Sequence, residues 1–296
     1  MAHGSRHPLV RVMVPALFAA LLATAVLGNT ETAKRTRSHP PMEQRAVENR
    51  IADDPAPDPA NVTAANGIAT TVPGWASWSL LDRRTGRVLG GPRSHERTNI
   101  ESTIKVWLAA EMLRETAEDG AIRPGPSQRA RTERMIRHSS DSTAENVYLR
   151  FGGDVSIRRM IEQCDLRDTE LGDPGYWARV QMSSRDTVRM LDCVLLSDRI
   201  LPPSVRGYLL AEMRRVDRPD AFGIQDAHPA GPGVRIAVKN GWTANSRTGL
   251  WNLNCTGVWG PDQRWVLAVM TRYDISRGQH HGERICTEVT RALFAR

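Results

Sequence analysis

Hydrophobic and polar positions follow two different periods along this chain. Trp75-Ala-Ser-Trp-Ser-Leu-Leu81 alternates as a strand does, Arg83-Arg84-Thr85-Gly86 reads as a turn, and Arg87-Val88-Leu89 continues as a second strand. From Ser102 the period lengthens: Ile104, Leu108, Met112 and Leu113 share one face of a helix that ends before Gly120. Further helical patterns cover Arg129–Arg137, Thr143–Phe151, Val155–Cys164 and Ser184–Leu196. The last is opened by the capping sequence Ser183-Ser184-Arg185-Asp186. Towards the end the short period returns. Val234–Lys239, Leu250–Val258 and Trp265–Arg272 read as strands parted by glycine-containing turns, and Gly282–Phe294 reads as a closing helix. Strands at both ends with helices between them predict an α+β fold: an antiparallel sheet covered by helices, plus an all-helical lobe.

The N-terminal part lies outside this pattern. Arg6 and Arg11 precede an uncharged apolar run from Val12 to Gly28, so residues 1–28 read as a signal peptide or an N-terminal anchor. Residues 29–71 are rich in Pro, Ala, Asp, Thr and Arg, include DDPAPDP, and are expected to form a disordered linker. Residues 72–296 are then the folded domain. Export makes Cys164, Cys193, Cys255 and Cys286 disulfide candidates, and four cysteines allow three connectivities. No CxxC occurs and His280-His281 lacks a helical zinc spacing, so neither a metal site nor a cofactor is expected.

Charge narrows the partners. The net charge is +7, yet of 40 basic residues only Lys34, Lys105 and Lys239 are lysines. No basic run is interleaved with aromatics, which argues against a nucleic-acid groove. The arginine surface is read as a solvated face toward an anionic cell envelope. A monomer acting on a small molecule, with no stable membrane insertion once the leader is removed, is the expected form.

Lysine scarcity points to the chemistry. Ser102-Thr-Ile-Lys105 opens a predicted helix, so the serine and the lysine share one face. An amine with a lowered pKa can take a hydroxyl proton, which a guanidinium cannot. A second helix start holds Ser140-Asp141-Ser142, and Lys239-Asn240-Gly241 ends a predicted strand. A lone SxxK is a weak signal. Here the two lysines of the folded domain both stand in such motifs.

This order of motifs resembles the penicillin-recognising serine hydrolases, and most closely their class A β-lactamase branch. SDSTAEN resembles the branch's SDNTA–N, and MSSRDTVRML is similar to its TTPRDMARLL helix. KNGW followed by two tryptophan-rich strands is similar to exported actinobacterial hydrolases of the branch. The resemblance runs from the Trp75 strand to the C-terminal helix. It implies a five-stranded antiparallel sheet flanked by helices with an inserted helical lobe. It also implies a nucleophile at Ser102, a proton acceptor at Lys105 and a relay hydroxyl at Ser140. Lys239 would position that hydroxyl and attract a substrate carboxylate. Ser142, Asn240, Gly241 and Trp242 would line the substrate site, with an oxyanion hole from the N–H groups of Ser102 and Trp242. Tyr176 and Trp177 have positions that could join that groove, whereas His138 reads as exposed helix decoration. Since the closing helix of this fold crosses the sheet, the resemblance implies disulfides 255–286 and 164–193.

The chain also departs from the pattern. Ser142 stands where the branch has Asn, and Asn240 replaces the hydroxyl residue of KTG. No ExxLN, whose Glu activates the deacylating water, is present. The nearest segment is Asp168-Thr-Glu-Leu-Gly172, which makes Asp168 or Glu170 a candidate deacylation base, or else the segment is a polar surface turn. The implied activity is that of an exported, metal-independent serine hydrolase acting on β-lactams or related cell-envelope amides. The alternatives are a D-alanyl-D-alanine carboxypeptidase, another envelope amidase or esterase, or a sensor that binds β-lactams or muropeptides without hydrolysing them.

Overall fold

A computed structural model describes residues 55–118 and 123–295; the segment expected at 1–28 lies outside them, as does most of the expected linker. The end of that linker is corrected. Pro59–Thr71 is a helix, α1, capped by Asp58, whose carboxylate accepts from the Asn61 N–H at 2.8 Å. Pro59 takes the first helical turn, where its missing N–H costs nothing. The buried face of α1 is Ala65 and Ala69, so it carries no large apolar residues for periodicity to detect. Asn61 Nδ2 donates to the carbonyls of Ala292 (2.9 Å) and Ala295 (3.1 Å), tying α1 to the end of the chain.

Strands β1 (Trp75–Asp82) and β2 (Arg87–Gly90) follow, then the short β3 (Arg97–Asn99). A single 3-10 turn, Glu101–Ile104, leads into α2 (Lys105–Glu118), followed by α3 (Pro126–Ile136), α4 (Asp141–Arg150) and α5 (Asp154–Gln163). Two short strands, β4 (Thr169–Glu170) and β5 (Gln181–Ser183), precede α6 (Ser184–Leu195), α7 (Pro203–Met213) and α8 (Ile224–Ala227). The chain returns to strands β6 (Ala237–Val238), β7 (Gly241–Asn245), β8 (Leu250–Trp259) and β9 (Trp265–Asp274), and closes with α9 (Gln279–Leu293).

The main sheet is antiparallel in the order β2-β1-β9-β8-β6, with β7 also on β8. The strand expected over Val234–Lys239 is shortened to β6, and after Lys239-Asn240 the edge continues as β7, which lies beyond the expected range. Side chains replace the ladder at the break. Asn240 Oδ1 accepts from the Thr256 N–H (3.2 Å), and Thr256 Oγ1 donates to the Lys239 carbonyl (2.6 Å).

Both faces of the sheet are covered, which is why β1 and most of β8 and β9 are buried at every position. Cys255 of β8, opposite Val269, is bonded to Cys286 of α9 on one face. Met270, the next residue of β9, meets Thr187 of α6 on the other. In the helical lobe, α2 is more than the one-sided helix its pattern predicts. Val106 to Ala110 are all fully buried, because α3, α4, α5, α6 and α7 pack around it. Cys164 at the end of α5 is bonded to Cys193 of α6. A second small sheet, β3-β5-β4, lies where the chain passes between the main sheet and the lobe. Among the described residues, no helix is long and apolar enough to cross a membrane.

Candidate active site

The turn that carries Ser102 is fastened to the broken sheet edge. Glu101, just before the serine, sits at φ 53, in the left-handed region that non-glycine residues rarely adopt. Its buried carboxylate accepts from Thr243 Oγ1 of β7 at 2.7 Å, and burial pushes that carboxyl above the usual range despite the bonds from Thr243 and Asn99. Thr103 Oγ1 donates to the Lys239 carbonyl at 3.3 Å. Gly241 makes the approach possible: a Cβ there would lie 2.5 Å from Ser102 N and 2.7 Å from Thr103 N, both backbone atoms.

Both lysines converge on one hydroxyl. Lys105, fully buried, donates from Nζ to the Ser139 carbonyl (2.5 Å), to Ser139 Oγ (3.2 Å) and to Asp141 Oδ1 (2.5 Å). Lys239 Nζ donates to the same Ser139 Oγ at 2.8 Å. Burial lowers the pKa of Lys105, with Asp141 opposing it. Lys239 is pulled down to about 7, first by burial and then by the charge of Lys105, against the pull of Asp220 and Asp141. Two poorly solvated amines sharing a hydroxyl can pass a proton among them. The side-chain bonds of Lys105 go to Ser139 and Asp141, while its backbone N–H bonds to the Ser102 carbonyl one 3-10 turn back.

The hydroxyl that meets both lysines is that of Ser139, one residue before the Ser140 expected there. Ser140, expected there, is the N-cap of α4: its Oγ accepts from the Thr143 N–H (3.3 Å) and lies within bonding distance of Ser142 and Thr143 hydroxyls. Ser139, at φ 50, turns its side chain toward the lysines instead. Asp141, not Ser142, then stands two residues after this serine and holds Lys105.

A pocket of about 300 Å³ opens at this junction, lined by Ser102, Glu101, Asp141, Ser142, Glu145 and Trp242 among others. Tyr176, Trp177 and Arg179 form its other wall. The Trp177 ring lies 5.0 Å from Lys105 Nζ, and its Nε1–H donates to Glu145 Oε2 at 2.8 Å. Asn240 is not in the pocket. It is buried, and its Nδ2 donates to the Asp220 (2.9 Å) and Phe222 (3.1 Å) carbonyls. Asp168 and Glu170 also lie away from Ser102. Asp168 pairs with His95 at 2.7 Å, and Glu170 with Arg97 at 2.6 Å. The Asp168 N–H and Thr169 Oγ1 both donate to the buried Asp186 of α6, which pins this segment down.

Residues 129–296 match the sequence profile of the beta-lactamase enzyme family. The chain belongs to that family. The matched stretch contains Ser139, Lys239 and Gly241 and begins after Ser102 and Lys105. Solved structures carry the likeness across the fold of this beta-lactamase-family serine hydrolase. A beta-lactamase from Desulfarculus baarsii is 21% identical, over 80% of this chain and 98% of that one, with a TM-score of 0.64. A class A beta-lactamase from Mycobacterium abscessus is 19% identical over 78% and 97%, with a TM-score of 0.61. An ancestral class A beta-lactamase (GNCA) is 19% identical over 78% and 98%, at 0.60. No curated protein matched.

The Ser139 hydroxyl at the lysines, and the pocket carboxylates of Glu101, Asp141 and Glu145, were not singled out by sequence reasoning. Only the first left a legible trace. A Ser-Ser pair before a helix offers one serine to the cap and frees the other.

Proposed function

We propose that this enzyme hydrolyses β-lactams, or related amides of the cell envelope, through an acyl-enzyme on Ser102. The observation that carries the reading is the meeting of Lys105 and Lys239 on Ser139 Oγ beside the pocket that Ser102 lines. Ser102 Oγ attacks the carbonyl carbon while Lys105, kept short of solvent, accepts its proton. The N–H groups of Ser102 and Trp242 receive the developing oxyanion, a reading supported by the close approach of Gly241 to the Ser102 turn. Ser139 passes a proton to the leaving nitrogen, and Lys239 draws in the substrate carboxylate. Two disulfides among the described residues support an extracytoplasmic setting, and so export.

The test is covalent labelling with a fluorescent penicillin, followed by turnover of a chromogenic cephalosporin and of an N-acyl-D-alanyl-D-alanine peptide. The wild type labels, and Ser102→Ala and Lys105→Arg do not. Full labelling of Lys105→Arg would remove Lys105 as the base, because a guanidinium stays protonated. Faster release of D-alanine than opening of the β-lactam would move the substrate to the envelope peptide.

A further inference from the structure

Hydrolysing an acyl-enzyme needs a base beside the ester to deprotonate water, and the segment expected to supply one does not reach the pocket. Asp168 pairs with His95 and Glu170 with Arg97, and neither is among the residues lining the pocket. Three carboxylates line the pocket that holds Ser102: Glu101, Asp141 and Glu145. Asp141 is engaged with Lys105 at 2.5 Å. Glu101 is buried, bonded to Thr243, and adjacent in the chain to the nucleophile, where it secures the turn. Glu145 differs from both. It lies one turn along α4 from Asp141, on the same face. One oxygen, Oε2, accepts from Trp177 Nε1–H at 2.8 Å, and the Trp177 ring is itself packed 5.0 Å from Lys105 Nζ. The indole thus holds this carboxylate at the pocket wall, and Oε1 has no protein partner among the described residues.

We infer that Glu145, presented from α4 and oriented by Trp177, is the base that activates water for hydrolysis of the Ser102 acyl-enzyme. Glu145 takes one proton from the water as the water oxygen bonds to the acyl carbonyl carbon. The tetrahedral intermediate then collapses, the bond from carbon to Ser102 Oγ breaks, and the proton returns to Oγ. The product leaves as a carboxylic acid, and the enzyme is regenerated. The inference rests on the acyl-enzyme reading and adds to it the source of turnover.

The experiment follows the Ser102 adduct of benzylpenicillin by intact-protein mass spectrometry in wild type, Glu145→Gln, Asp168→Asn and Glu170→Gln. Glutamine keeps an acceptor for the Trp177 N–H and removes only the base. Glu145→Gln should acylate as the wild type does, which also reports that it is folded. Its adduct should persist on the order of 100-fold longer or more, while the adducts of Asp168→Asn and Glu170→Gln decay at the wild-type rate. Equal decay in Glu145→Gln and wild type overturns the inference, as does an adduct that persists equally in both. Loss of acylation in Glu145→Gln overturns it too, by placing Glu145 in the first step. If no Ser102-dependent adduct forms on any of the proteins, the acyl-enzyme reading itself fails.

Discussion

Adjacent serines with different duties make a sharp test of the site. Ser140→Ala removes the N-cap of α4, whose bond to the Thr143 N–H is 3.3 Å. Losing such a cap costs about 0.5–2 kcal/mol. In a domain of this size that is a fall in melting temperature of about 2–4 °C per kcal/mol. The pocket lysines are untouched, so acylation by a fluorescent penicillin should stay within about threefold of wild type, since the substitution removes no proton-transfer group. Ser139→Ala is the opposite case. It removes the hydroxyl that both Lys105 and Lys239 approach, at 3.2 and 2.8 Å, and with it the proton path to the leaving nitrogen. A general acid–base group of this kind contributes roughly 10²–10⁴-fold, and acylation should fall by that factor. Stability also falls in Ser139→Ala, because a buried Lys239 amine loses an acceptor, at about 1–3 kcal/mol. Ser139→Gly separates the two effects. It deletes the same hydroxyl but relaxes the left-handed backbone at φ 50, so it should be the more stable of the pair and no more active. Stopped-flow labelling and thermal melts of the three variants check this. Retained acylation in Ser139→Gly, with loss in Ser140→Ala, would refute the assignment and return the relay to Ser140.

Three further outcomes follow from the same geometry. Burial and the charge of Lys105 pull Lys239 down to about 7, so on the proposed reading its ammonium attracts a substrate carboxylate below that pH and loses the charge above it. The KM for an anionic β-lactam should therefore rise as pH increases through about 7 in wild type and stay level in Lys239→Arg; a level wild-type profile would contradict the assignment. The folded pKa lies below the unfolded value, so between about 7 and 10.4 the unfolded chain holds more protons, and this group's contribution makes folding more favourable as pH rises across that window. Gly241→Ala would drive a Cβ to within 2.5 Å of Ser102 N, and displacing the turn by about 1 Å should lower acylation by on the order of 100-fold; unchanged labelling would show the contact to be soft. Replacing both Cys255 and Cys286 by Ala opens a link spanning 31 residues and should lower stability by about 3–4 kcal/mol in denaturant titrations, with the sheet and α9 separating first; an unshifted midpoint would refute it.

What the sequence determined by itself is what short-range pattern can encode. The alternation at Trp75–Leu81 and over β8 and β9, the period of Ile104, Leu108 and Met112, and the Ser183 cap all became elements in place. The scarcity of lysine singled out Lys105 and Lys239, and both amines reach one hydroxyl in the fold. Tertiary structure decided the rest, because the deciding contacts join residues far apart in the chain. Ser139 and Ser140 are equivalent to any local rule. Only the left-handed backbone at Ser139, and two lysines arriving from 34 and 100 residues away, bring one hydroxyl to the lysines and leave the other to cap the helix. Asp168 and Glu170 read as acids at a suitable distance before the α6 cap. In the fold they pair with His95 and Arg97, and neither lines the pocket. Helix α1 escaped because its buried residues are alanines, whose packing value exists only once the C-terminal helix lies against them. Periodicity reports which face a residue will bury; which partner meets it there is settled by the topology of the folded chain.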